Sequence, residues 1–248
     1  MIMISDIDSK RYDRQIRLIG AEGQEKLQKA KVFIAGAGGL GSPISIYLAA
    51  TGVGKIVLVD RDIVDLSNLN RQILHWEKDV GRKKAESAEE KLKRMNSGID
   101  IECISVSLDD SNASELVGDS DLIIDAMDNF STRYLLNRVA LQKRIPFIHG
   151  AINGFQGQAT TILPGRTACF RCIFSRPLPP STFPVIGVTP GIIGMIQATE
   201  AIKYITGIGD LLAGKLLFWD GLRSSIETVD VERDPGCTDC GCGSGGLI

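Results

Sequence analysis

The chain has 248 residues, of which 44% are hydrophobic and 23% charged, with a formal net charge of −2. That is enough apolar chain for one large α/β domain or two small ones with a sizeable core, and it is the composition of an ordinary soluble globular protein. The charge balance leaves no broad basic field for nucleic acid. No apolar run reaches membrane-spanning length, since the most apolar stretch, residues 183–208, is broken by Pro184, Pro190, Gln197, Glu200 and Lys203. The first residues turn polar too soon for a secretory leader, so a cytoplasmic setting is expected.

Residues 5–30 are polar and helical in character. Arg11, Tyr12, Arg14, Gln15 and Arg17 crowd their first part, and residues 22–29 read as a short helix. Such an arm is either a solvated helix or a set of arginines serving phosphate or a partner subunit. Next comes the strand Val32–Ala35, the turn Gly36-Ala37-Gly38-Gly39-Leu40-Gly41, an apolar helix to Ala50, and the strand Lys55–Val59, closed by Asp60. Gly36, Gly38 and Gly41 fit the G-x-G-x-x-G spacing between a strand and a helix. Glycines there let the chain turn tightly and let backbone N–H groups and a helix N-terminus approach phosphate, and Asp60 lies where a carboxylate would hold ribose hydroxyls.

The polar loop 61–72 follows the second strand at the edge of an open α/β sheet that faces the ligand crevice. Asn68 and Arg71 are three apart, so one helical turn puts them on a common face, and Arg71 is suited to fork onto a triphosphate. A loop capped by Asp65 or Ser67 is the plainer alternative. Residues 80–84 open a helix that runs to Met95. Its charges alternate in sign, as on a solvated face, but a lysine in the first turn opposes the helix dipole and marks Lys83 or Lys84 as a phosphate ligand.

Residues 99–106 alternate as a strand. The strand 122–124 ends in Asp125-Ala126-Met127-Asp128-Asn129, which places Asp125 and Asp128 at the crevice edge. A carboxylate near phosphates suits Mg²⁺, although Asp128 capping a helix over 131–142 is an alternative. A short strand over 146–151 follows. His75 and His149, the two histidines, read as structural. Beyond Ala151 the pattern changes to strands over 156–163, 216–218 and 224–231, an antiparallel extension of the sheet. A helix over 194–205 is reached by a long Pro-rich connection, 176–190, of the kind that is usually functional.

The cysteines form two C-x-x-C pairs, Cys169/Cys172 and Cys237/Cys240. Two such pairs complete a tetrahedral, closed and therefore structural zinc site. A redox pair is the weaker alternative because neither pair is expected to open a helix. Cys242 is an alternate ligand, Cys103 is expected in the core, and residues 244–248 read as a flexible tail.

These residues together resemble the ThiF/MoeB/HesA group, the E1-like activating enzymes. The resemblance is carried by residues 11–15, the glycine turn, Asp60-Arg61-Asp62, residues 67–72, Lys84, Asp128-Asn129, the apolar segment 191–204 and both cysteine pairs. It spans nearly the whole chain. It implies a mostly parallel, Rossmann-like α/β sheet extended by antiparallel C-terminal strands, with a structural zinc knuckle. The chain is expected to be one adenylation domain, 1–248. It comprises an arm (1–30), a nucleotide-binding half (31–150), and a half (151–248) with the sheet extension, crossover loop and zinc site.

The resemblance further implies ATP-dependent adenylation of the C-terminal glycine carboxylate of a small ubiquitin-like sulfur carrier ending in Gly-Gly. Gly36, Gly38, Gly39, Gly41, Asp60, Asn68, Arg71, Gln72, Lys84, Asp128 and Asn129 would hold the nucleotide, and the double glycine Gly38-Gly39 would leave room for an incoming peptide tail as well. Within that set Asn68, Arg71 and Lys84 would bind phosphates, and Asp128 would hold Mg²⁺. Arg14 would reach into the other subunit of a homodimer. Several relatives carry a further cysteine after the first C-x-x-C pair. Residues 176–194 contain none, so adenylation without a catalytic thiol is expected, with sulfur added by another protein. A nicotinamide-dependent oxidoreductase would leave Arg14, Arg71, Lys84 and Asp128 without work. Two further readings are an adenylating enzyme for a small molecule, peptide or tRNA base, and a non-catalytic scaffold.

Overall fold

In the computed structural model, which describes residues 10–176 and 184–241, one eight-stranded sheet runs through the chain in the order β3-β2-β1-β4-β5-β6-β7-β8. Strands β1 (Lys31–Ala35), β2 (Lys55–Val59), β3 (Asp100–Ile104), β4 (Leu122–Asp125) and β5 (Phe147–Asn153) are parallel. Strands β6 (Gln156–Ile162), β7 (Lys215–Asp220) and β8 (Ser225–Asp230) continue antiparallel from β5. The expected mixed sheet is therefore present.

The helices are α1 (Asp13–Lys29), α2 (Gly41–Thr51), α3 (Lys84–Met95), α4 (Ala113–Val117), α5 (Phe130–Lys143), α6 (Phe170–Ile173) and α7 (Val188–Thr206). The central strands are unbroken apolar runs because both faces are covered. Alternate residues of β1 divide between two cores: Val32 and Ile34 pack with Leu27, Ile44, Leu48, Leu92 and Ile193, while Phe33 and Ala35 pack with Leu136, Phe147 and Phe170.

Three boundaries differ from expectation. Helix α1 begins at Asp13 and continues through a break at Gly20, where φ is 75°. The preceding Tyr12 is buried and accepts a hydrogen bond from Asn96 Nδ2 at 2.8 Å, so that tyrosine is core rather than part of a phosphate-binding arm. Helix α7 begins at Val188, six residues before the expected start, because Pro190 falls in its first turn, where no backbone N–H is missed. The first cysteine pair does open a helix, since Cys169 caps the one-turn α6. The expected long connection and the C-terminal tail lie partly outside the described residues, at 177–183 and 242–248, and Cys242 is among them.

Candidate active site

The glycine turn joins β1 to α2 with no spare space. Gly36 adopts a φ of 105°, and a Cβ there would meet the Ala126 carbonyl oxygen at 2.7 Å; a Cβ on Gly41 would lie 1.9 Å from the Gly36 oxygen. Only glycine fits either position. Gly39 has a different reason: a Cβ would press on Pro190 at 3.2 Å, so its missing side chain lets α7 pack against the turn.

Ala37, at the centre of the turn, is held at both ends. Asp60 Oδ2 accepts its N–H at 2.8 Å, and its carbonyl oxygen lies 3.0 Å from His75 Nε2. A carbonyl only accepts, so Nε2 carries the proton, and Nδ1, 2.9 Å from Ser87 Oγ, is the acceptor. Burial lowers the His75 pKa against the Ala37 hydrogen bond, with Lys91 and Lys84 adding to the effect, and the ring is neutral. Asp60 Oδ1 also accepts the Asp62 N–H at 2.8 Å. Asp60 thus orders the turn while each oxygen keeps a second lone pair for a ligand.

Beside the turn, at the carboxyl ends of β2 and β4, Arg61, Asp62, Ile63, Asn68, Arg71, Gln72, Lys84 and Asp128 line one cleft of about 570 Å³. Five of the expected residues meet here, from three separate segments. Asp65 caps the short turn Leu66–Asn68, and Asn68 Oδ1 accepts the Asp65 N–H at 3.3 Å, so the plain capping role and the shared face of Asn68 and Arg71 coexist. Arg71 donates to the Ser67 carbonyl at 2.9 Å and to Asn70 Oδ1 at 2.8 Å. Lys84, the first residue of α3, is only 5% exposed and donates to Asp62 Oδ2 at 3.0 Å, which offsets the unfavourable helix end. Asp62 stands in the sequence only as part of the Asp60-Arg61-Asp62 run, with no role; its pairing with Lys84 in the cleft is what sequence reasoning missed. Gln72 is buried at the edge of the cleft, and its Oε1, itself buried, has no hydrogen-bond partner among the described residues.

The two aspartates after β4 take different roles. Asp125 is wholly buried and paired with His149 and Arg133, so it does not face the crevice. Asp128 is exposed in the cleft. It does not cap α5. Asn129 does, accepting the Thr132 N–H at 2.9 Å and turning its amide nitrogen to Asp128 at 3.4 Å. Arg14 is exposed on α1 and is not among the residues lining the cleft.

The four paired cysteines converge, their sulfurs all within 4.8 Å of one another. Separations of 3.8 Å (Cys169–Cys172), 3.6 Å (Cys169–Cys237) and 3.3 Å (Cys172–Cys240) lie close to the edge of about 3.8 Å of a zinc–thiolate tetrahedron. The tetrad could hold zinc. Buried Asn137 of α5 joins the two turns, accepting the Phe170 N–H and donating to Asp239, each at 2.9 Å. Arg171 also donates to Asp239, at 2.7 Å. Among the described residues the remaining thiol is Cys103, which burial pushes up to about 12, away from the thiolate form.

No described helix is long and apolar enough to cross a membrane. Known proteins place the chain among relatives. The SAMP-activating enzyme E1 of Haloferax volcanii is 46% identical, over 94% of this chain and 89% of that protein. The sulfur carrier protein adenylyltransferase of Thermus thermophilus is 43% identical, over 93% and 90%. Among solved structures, Escherichia coli MccB with ATP superposes with a TM-score of 0.81 at 27% identity, over 93% of this chain and 74% of that one. MccB has also been solved with N-formylated MccA. The family model described as the ThiF family matches residues 12–239, and with these identities the chain belongs to the ThiF family.

Proposed function

We propose that this chain is an ATP-dependent adenylyltransferase that joins the C-terminal glycine carboxylate of a small ubiquitin-like sulfur carrier to AMP. The observation that carries this is the convergence of Asn68, Arg71, Gln72, Lys84 and Asp128 on one cleft beside the glycine turn. The relatives' names, an activating enzyme and a sulfur carrier adenylyltransferase, point to the same chemistry.

A carboxylate is a poor electrophile because its leaving group would be oxide. Its oxygen attacks the α-phosphorus of ATP, the α–β phosphoanhydride bond breaks, and pyrophosphate leaves with the electron pair. The acyl adenylate then carries a good leaving group. No protein nucleophile is needed; positioning and neutralisation of the charge on pyrophosphate suffice. Arg71 and Lys84 are the cations for that charge, Asn68 and the turn's N–H groups donate to phosphate, and Asp60 accepts from the ribose. Asp128 would hold Mg²⁺, which supplies charge neutralisation at the phosphates. Zinc at the cysteine tetrad is structural, since four thiolates leave no open position. Arg14, exposed and away from its own cleft, serves the site of a second copy in a homodimer. With no cysteine in residues 176–194, sulfur arrives on another protein.

The test is carrier-dependent ATP–pyrophosphate exchange with a panel of Gly-Gly-ended sulfur carriers and their truncated forms. Full-length carriers should stimulate exchange and truncated ones should not, and Asp128→Ala should lower the rate by about 100-fold or more. Full activity in Asp128→Ala would sink the assignment of the site. Stimulation by no carrier would favour a second reading, a peptide-like substrate, for which the likeness to MccB speaks.

A further inference from the structure

Beneath the cleft lies a buried charge cluster that no step above uses. Asp125 closes β4 and is fully buried; its Oδ2 is 2.6 Å from His149 Nδ1 and 3.2 Å from Arg133 Nε. Arg133, on α5, is 7% exposed. The two charges grip one residue from both sides. Asp125 Oδ1 accepts the Met127 N–H at 2.9 Å, and Arg133 Nη2 donates to the Met127 carbonyl at 2.5 Å. Gln197 of α7 fastens the base of the cluster, donating to the Asp125 carbonyl at 2.7 Å and the Ile148 carbonyl at 3.2 Å.

Asp128 follows directly. It is therefore bracketed by Met127, whose N–H and C=O are both engaged, and by Asn129, whose side chain caps α5. Ala126 is bonded to the Ala35 carbonyl and packs under Gly36, so the same loop is fixed to the glycine turn. A backbone bonded on both sides of a residue has few dihedral alternatives, so the Cα–Cβ bond of Asp128 is directed into the cleft before any ligand arrives. Two buried charges are an expensive way to build a loop; removing Asp125 leaves Arg133 without a counter-charge among the described residues, and removing Arg133 leaves Asp125 only the His149 ring. Their retention beneath one exposed acid has a reason if that acid must be aimed.

Resting on the reading of Asp128 as a cation-holding carboxylate, we propose that Arg133 and Asp125 are positioning residues. Their ion pair clamps Met127 and so sets Asp128 for a divalent cation on the nucleotide. Neither touches the nucleotide. The clamp parallels the grip of Asp60 and His75 on Ala37 across the cleft.

Mn²⁺ affinity in the presence of α,β-methylene-ATP, read by electron paramagnetic resonance, tests this without carrier or turnover. Arg133→Met should weaken Mn²⁺ binding about 10-fold, as losses of supporting residues around metal ligands do, with Arg133→Lys in between. Asp128→Ala should weaken it at least as much. Wild-type affinity in Asp128→Ala would overturn the site itself. Weakening there with unchanged affinity in a folded Arg133→Met would overturn the clamp alone. Should Arg133→Met fail to fold, hydrogen exchange on the ligand-free wild type decides: the Met127 amide should be strongly protected, and exchange at the rate of an open loop overturns the clamp.

Discussion

His75 shows how a side chain remote from phosphate can still govern the site. Its Nε2–H holds the Ala37 carbonyl, and Ser87 and Lys91 connect its other nitrogen to buried Asp79. Burial pushes the His75 pKa down, and burial does the same to His149 against the pull of Asp125. In both cases the unfolded chain takes up the proton first as pH falls. Both groups therefore contribute stability that is complete above the ordinary histidine value of 6.5 and is lost progressively below it. The thermal midpoint of the wild type should fall between about pH 7.5 and about pH 5.5, and the fall should be shallower in His75→Gln, which has no imidazole to charge. A midpoint–pH slope identical in the two proteins would remove His75 from this account.

At the scale of elements, the strands and the glycine turn were plain because one local rule governs each: β-branched apolar runs for the covered strands, and glycine spacing for the turn. The residues of the cleft were legible as types at strand ends. What was hidden depended on contacts between distant segments. Asp125 and Asp128 look alike in sequence, yet one is sealed beneath α7 by Gln197 and the other is open. The need for Gly39 comes from Pro190, and no local rule links the two. Nor could spacing identify Asn137 as the bridge between the two cysteine turns. With a metal bound, that bridge would make the cysteine tetrad a cross-link between α5, α6 and the chain's C-terminal segment. Closing a loop of that length by a tight link is worth on the order of 4 kcal/mol, or roughly a 10 °C shift in midpoint for a chain this large. Metal analysis should find one zinc per chain, and a strong chelator or Cys172→Ser should lower the midpoint by about that amount. A metal-free protein of unchanged stability would refute a structural zinc.

On the scale of the whole molecule, the cleft draws cations from the loop after β2 and from the start of α3, while Arg14 stands exposed on α1 and does not line that cleft. Its neighbours are already engaged locally, since Arg11 donates to the Met95 carbonyl and Arg17 pairs with Asp13. If Arg14 completes the cleft of a second copy, the two residues of one working site lie on different chains. Arg14→Ala and Asp128→Ala should then each be nearly inactive in ATP–pyrophosphate exchange, yet restore activity when mixed. A mixed dimer joins the Arg14 of one variant to the Asp128 of the other and has one intact site. With free exchange of subunits, half the dimers are mixed and half their sites intact, so recovery should approach about a quarter of the wild-type rate. The paired control is a chain carrying both substitutions mixed with wild type: each mixed dimer then lacks Asp128 at one site and Arg14 at the other, and contributes nothing. No recovery on mixing, despite demonstrated subunit exchange, would assign Arg14 to the cleft of its own chain, and full activity of Arg14→Ala alone would place it outside the reaction.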